Sequence, residues 1–246
     1  MSLKRVEDII VFKICTGQLR YDRLGRICLS QNAIQKPYLF SYTKYDALGR
    51  ISEVGQLNTV STKFDPQTFV KTDATLQNFI RHWHHGQVTH TFYDSVEYSS
   101  IPVAQQNLRK RVASITYEDI DDSNAATYDN AIHYSYDIEG NVATLINDNP
   151  HNSKVAQRYK RTDYYYDLVS GNVNELIYQH DSSDQFMHIY EYDADNRITD
   201  VITSRDSAYF EHDAGYEYYD HGPLAREVIG QRQVQGVDCV YFEWLD

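Results

Sequence analysis

Eight Tyr-Asp dipeptides occur in 246 residues, where 22 Tyr and 24 Asp placed at random would give about two. Six of them open nearly the same phrase. A strand-like run ends in Tyr-Asp. Two to five residues later comes Gly, Asn or both, then usually Arg or Asn, then a β-branched residue. The copies are Tyr21-Asp-Arg-Leu-Gly-Arg-Ile27, Tyr45-Asp-Ala-Leu-Gly-Arg-Ile51, Tyr136-Asp-Ile-Glu-Gly-Asn-Val142, Tyr166-Asp-Leu-Val-Ser-Gly-Asn-Val173, Tyr192-Asp-Ala-Asp-Asn-Arg-Ile198 and the looser Tyr219-Asp-His-Gly-Pro-Leu-Ala-Arg226. Their starts fall 24, 91, 30, 26 and 27 residues apart. A recurrent period marks an array of one supersecondary unit. The long gap has room for further units, and Tyr93-Asp94 is placed to mark one.

Each residue type in the phrase has a physical task. The flanks alternate, as in Ile132-His-Tyr134-Ser-Tyr136 and Phe186-Met-His-Ile-Tyr190-Glu-Tyr192. Period-two alternation of Tyr, Ile and Val predicts a strand with one buried face, and the tyrosines are expected on that face. The repeated Asp22, Asp46, Asp137, Asp167, Asp193 and Asp220 can each accept a hydrogen bond from the backbone two residues on, closing an Asx-type turn. Gly25, Gly49, Gly140, Gly171, Asn196 and Gly222 stand where a tight hairpin or a G1 bulge needs positive φ. Tyr21, Tyr45, Tyr136, Tyr166, Tyr192 and Tyr219 recur at one place in successive hairpins. That puts aromatic side chains in register across strands, at about 0.2–1 kcal/mol per pair.

Composition fits wet-faced sheets. The mean hydropathy is −0.59, yet 13% of residues are aromatic, mostly Tyr. Disordered chains are poor in such residues. A formal net charge of −12 argues against nucleic acid or an anionic membrane as a main partner. No run approaches the 18 apolar residues of a membrane-spanning helix, and no apolar signal-peptide region is visible after Met1. Cys15, Cys28 and Cys239 have no metal-like spacing and form no disulfide framework, so buried free thiols are expected.

Along the chain, residues 1–58 read as strand pairs, 59–92 are less regular, and a short helix is expected near Leu76–Trp83. Residues 107–117 return to strand. Asp119–Asn130 reads as a solvated acidic loop, and Asn147–Lys154 as another, with a turn at Asn149-Pro150. Repeats are densest from Thr162 to Val228. The last eight residues, Cys239-Val-Tyr-Phe-Glu-Trp-Leu-Asp246, read as an apolar strand whose edge another strand should cover. The expectation is one all-β domain over 1–246, a segment of a longer array or one completed by another chain.

The phrases resemble the YD-repeat, or rearrangement-hotspot (RHS), family, also found in teneurins and in the C component of Tc toxin complexes. Tyr45-Asp-Ala-Leu-Gly-Arg-Ile-Ser-Glu-Val-Gly55, Tyr190-Glu-Tyr-Asp-Ala-Asp-Asn-Arg-Ile198 and Tyr218-Tyr-Asp-His-Gly-Pro-Leu-Ala-Arg226 are similar to RHS proteins of Bacteroidetes-type bacteria. Gln233-Val-Gln-Gly-Val-Asp238 followed by Glu243-Trp-Leu245 is similar to the lead into their RHS-associated core. The resemblance implies a β-sheet of antiparallel hairpins that spirals into a shell around a C-terminal toxic domain, in a secreted or cell-surface protein. About nine hairpins would make only part of such a shell, an open curved sheet. The family's self-cleavage motif, of the Asp-Pro-x-Gly-Leu kind, is not matched: Asp65-Pro66 is followed by Gln-Thr-Phe. The implied role is non-catalytic. The implied partners are the rest of the shell or a second copy at exposed strand edges, with a glycan or protein ligand as the other option.

Catalytic readings compare poorly with structural ones. Asp163/Asp167, Asp193/Asp195 and Asp121/Asp122 could be offered as a glycosidase acid pair. A catalytic residue has no reason to recur six times, and turn closure accounts for the repeated Asp. Asp119-Ile-Asp-Asp122 could attract calcium, but no twelve-residue ligand loop with a central Gly is present. His82-Trp-His84-His85, with His90 nearby, is the most metal-like run, and His82 and His84 would share a face if the run were a strand. Exposed histidines with a turn at His85-Gly86 are the preferred reading. No Gly-x-Ser-x-Gly is present. Arg109-Lys-Arg111 is too short for a nucleic-acid surface. Exposed tyrosines could stack on sugar rings, although cross-strand packing accounts for them more simply. No catalytic residue, metal or cofactor is assigned.

Overall fold

The computed structural model describes residues 17–59, 73–120, 127–152 and 155–232. It is nearly all β. Fourteen strands stand in chain order, β1 to β14, in an open sheet, and the pairings described below are antiparallel. They make seven hairpins among the described residues, against the nine expected. Two compact units divide the chain.

The first unit holds β1 (Gln18–Tyr21), β2 (Ile27–Gln31), β3 (Leu39–Tyr45), β4 (Ile51–Asn58), helix α1 (Asp73–His82), β5 (His84–Tyr93) and β6 (Val112–Ile120). Its core lies where α1 covers one face of β2 to β4. Cys28, Leu29, Phe40, Tyr42, Leu57 and Ile80 are buried together, with Phe79 and Trp83 packed against them. Phe40 meets Phe79 edge-on, with ring centroids 6.2 Å apart. The helix expected near Leu76–Trp83 is therefore present, three residues longer at its start, and it supplies this face's apolar cover.

The second unit holds most of β7 (Asn130–Tyr136), then β8 (Val142–Asp148), the one-turn α2 (Val155–Arg158), β9 (Tyr159–Tyr166), β10 (Val173–Tyr178), β11 (Phe186–Tyr192), β12 (Ile198–Ser204), β13 (Phe210–Tyr218) and β14 (Leu224–Arg232). The segment 98–108 belongs to it as well. That segment runs beside β7: the Tyr136 N–H donates to the Gln106 carbonyl, and Gln105 Nε2 donates to the Tyr134 carbonyl.

Alternation in β7 is as expected, but its sense is reversed. Ala131, His133 and Ser135 are the buried positions, whereas Tyr134 and Tyr136 are half-buried on the other face, their rings stacked at 6.3 Å. Small and polar residues fill this buried face, where His133 lies in a charged cluster. Arg158 makes a two-pronged ion pair with buried Asp148 at 2.6 and 2.9 Å, and His133 lies 3.9 Å from the same carboxylate. Burial, and the Arg158 charge beside it, push the His133 pKa down, only partly opposed by Asp148.

Candidate functional site

The chemistry-bearing residues gather at the Tyr-Asp turns. In the first, Asp22 is a hub. Its Oδ1 accepts from the Leu24 and Arg26 N–H groups, both at 2.9 Å, and its Oδ2 accepts from Arg26 Nε at 2.6 Å. Two backbone bonds close the turn, Asp22 N–H to the Arg26 carbonyl and Gly25 N–H to the Asp22 carbonyl. Asp46 repeats the arrangement with Leu48 and Arg50, and Asp193 with Asp195 and Arg197. Asp137 uses Gly140 and Asn141 instead. Asp167 heads a turn one residue longer and binds Val169 and Ser170. The left-handed position carries φ +84° at Gly49 and +61° at Asn196, the two residue types that reach it most easily.

The strand-closing tyrosine joins one hairpin to the one before it. Tyr45 Oη donates to the Ile27 carbonyl at 2.8 Å, and Tyr93 Oη to that of Ile51 at 2.9 Å. In the second unit Tyr166 reaches Val142 at 3.0 Å, Tyr192 reaches Val173 at 2.8 Å, and Tyr218 reaches Ile198 at 2.8 Å. In every case the acceptor is the residue that restarts the strand. Where the phrase carries Arg, its guanidinium lies over the same ring: Arg26 on Tyr45 and Arg50 on Tyr93, both at 4.1 Å, and Arg197 on Tyr218 at 4.6 Å. Arginine thus binds its own turn's carboxylate and its neighbour's ring at once. Sequence reading gave it no task, because its aromatic partner lies in another hairpin.

Two hairpins depart from the written phrase. In the last, Tyr218 takes the strand-closing place opposite Leu224, and Tyr219 makes the backbone bonds that Asp makes elsewhere. Tyr219 and Asp220 are therefore one residue out of step with the other repeats, and both are exposed. Gly222 keeps its positive φ. In the third hairpin, Tyr93 faces Val112 and the Asp94 N–H donates to the Arg111 carbonyl. The usual frame is kept while residues 95–110 are inserted into it. Asp94 also takes an ion pair from Arg50 of the preceding hairpin at 2.7 Å.

These carboxylates are tuned for acceptance. At Asp22 and Asp46 desolvation pulls the pKa up, but the Arg and backbone N–H donors outweigh it and the groups titrate below their ordinary range. The Arg197 N–H holds Asp193 down, the Arg50 side chain holds Asp94 down, and the Ser170 N–H holds Asp167 down. None has the raised pKa of a general acid.

The other sequence candidates are dispersed. Asp163 is buried in β9 against Thr144 and Arg161, while Asp167 is a turn hub. The Asp195 carboxylate pairs with Arg197 at 3.2 Å. Asp119 is the penultimate residue of β6, where its N–H donates to the Asp129 carboxylate. His82 ends α1 and His84 begins β5, so the two do not share a strand face. His85 and Gly86 lie within β5 rather than in a turn, because the chain passes straight from helix to strand. His85 contacts the Ile80 carbonyl at 2.6 Å, and His90 lies 3.8 Å from Glu53. Among the described residues no group of three His, Cys, Asp or Glu is arranged to hold a metal ion. Cys28 is buried, and its thiol donates to the Arg20 carbonyl at 3.3 Å. Asp65-Pro66, Asp121, Asp122, Cys15 and the segment 239–246 lie outside the described residues.

Fold and turn row together define a β-hairpin repeat array. No family model matches the chain, and no curated protein matches it. Among solved structures it is similar to the Tc holotoxin pore of Photorhabdus luminescens, with a TM-score of 0.41 and 14% identity over 91% of this chain and 12% of that one. It is also similar to the TcdB2-TccC3 complex with Cdc42, with a TM-score of 0.41 and 11% identity over the same shares of the two chains. This chain thus spans 12% of the length of each of these two chains, which belong to Tc toxin assemblies.

Proposed function

We propose that the chain is a non-catalytic structural segment of an RHS-type shell in a secreted or surface protein, helping to enclose or present a further domain. One observation carries this reading. The repeated carboxylates, arginines and tyrosines are consumed in fastening hairpins to themselves and to one another, which leaves the turn row saturated rather than poised for chemistry. Glycosidase and peptidase substrate panels should give no turnover. Turnover abolished by changing one Asp would overturn the proposal.

A second reading has one observation in its favour. Phe186, His188, Tyr190 and Tyr192 alternate along β11 and share one face, half-buried. Phe186 meets His188 edge-on at 4.9 Å, and His188 stacks on Tyr190 at 6.0 Å. Such a strip offers apolar ring faces and polar tips to a sugar or a protein loop. A glycan array and a pull-down decide it: without a ligand that Tyr190→Ala releases, the binding reading falls.

A further inference from the structure

We propose that segment 98–108 is a strap laid across β7 that lets go on mild acidification, when His133 beneath it takes a proton. The inference goes beyond the scaffold reading and does not depend on it.

The chain forms no helix or strand between β5 and β6, so the strap has no ladder of its own. Hydrogen bonds to β7 hold it. The Tyr136 N–H donates to the Gln106 carbonyl at 3.1 Å, and the Gln106 N–H to the Ser135 hydroxyl at 3.0 Å. Gln105 Nε2 donates to the Tyr134 carbonyl at 2.9 Å, and Asn107 Nδ2 to the Tyr136 carbonyl at 2.8 Å. Segments outside a ladder open at lower cost than strands within one. The base of the insertion is shut separately, by the Asp94 N–H on the Arg111 carbonyl and the Lys110 N–H on the Asp94 carboxylate. Asp94 titrates below 3.8, so this closure outlasts the strap as pH falls.

The strap covers a buried base. His133 is 1% exposed, and the Tyr98 ring meets its imidazole edge-on at 5.6 Å. Asp148 of β8 faces it at 3.9 Å, with Arg158 of α2 on the same carboxylate. Among the described residues these two charges act on the imidazole. On β6, Glu118 and Asp119 lie toward the start of β7, where the Asp119 N–H meets the Asp129 carboxylate. Arg158 already takes both Asp148 oxygens, at 2.6 and 2.9 Å. A proton on His133 therefore makes a second buried cation for one carboxylate. Burial holds the His133 pKa below 6.5 while the strap is down. With the strap lifted, water reaches the ring and its affinity for the proton returns toward the ordinary value. The lifted state thus binds the proton more tightly, and falling pH favours it. His133 and Asp148 stand in strands of the sheet, so the strap is the cover that gives way.

Hydrogen exchange of the intact chain, corrected for the intrinsic pH dependence of exchange, tests the proposal. From about pH 7.5 to about pH 5.5 the protection of the Gln106 and Tyr136 amides should fall about tenfold, as a lifted-state pKa of about 6.5 requires. The Asp22 and Asp193 amides, which close turns elsewhere, should keep theirs. His133→Gln should abolish the fall. Tyr98→Leu, a change on the strap itself, lets water to the ring. It should lower protection at both pH values and lessen the difference between them. Equal protection at both pH values, a fall shared by the turn amides, or a fall that either substitution leaves undiminished overturns the proposal.

Discussion

A turn aspartate in this chain accepts as many as three hydrogen bonds, and the arginine that supplies two of them lies over a tyrosine of the next hairpin. The tyrosine in turn binds the backbone of the hairpin before it. Removing one hydroxyl should therefore loosen a junction without disturbing a turn. Tyr192→Phe should lower stability by about 1 kcal/mol, measured by chemical denaturation, because the Val173 carbonyl loses a donor. The local part of this was legible: Asp and Gly announce a turn within five residues. The junction was not. Its donor and acceptor stand 18 to 42 residues apart, beyond any local pattern.

At the scale of the element, the hairpin persists while its loop varies. Residues 95–110 interrupt the third turn, so the phrase is broken in sequence although Tyr93, Asp94, Arg111 and Val112 hold their places. In β7, alternation gave the strand but not its sense, because the buried face carries a charged cluster of His133, Asp148 and Arg158 rather than aromatic rings. Helix α1 is the element on which apolar burial depends most. Ile80 is fully buried against β2 to β4, so Ile80→Ala should cost about 2–5 kcal/mol in a denaturant titration. Gly55→Ala tests the same core from the sheet side. A Cβ there would stand 2.8 Å from the ring of buried Tyr42, an overpacking cost of about 1–3 kcal/mol. Gly49→Ala, whose added Cβ meets only the tip of Arg26, should cost less, chiefly through its positive φ.

For the whole molecule, pH is the lever that reaches six of the seven hairpins. Asp22, Asp46, Asp94, Asp137, Asp167 and Asp193 all titrate below the ordinary 3.8 when folded. The stability they confer is present above that value and is lost as pH falls through it toward the folded pKa values. His133, also lowered, adds a gentler loss that begins as pH drops below 6.5. Thermal melting against pH should show a shallow decline below about 6.5 and a steep one below about 4. The shallow step should shrink in His133→Gln. Beyond stability, the tyrosine bond between successive hairpins bears on how arrays of this kind lengthen. Its acceptor is a main-chain carbonyl, supplied here by Ile27, Ile51, Val142, Val173 or Ile198 alike. A newly duplicated hairpin needs no matching side chain in its neighbour, so one that keeps its own tyrosine and turn fits in any slot, like a bolt cut to a common thread.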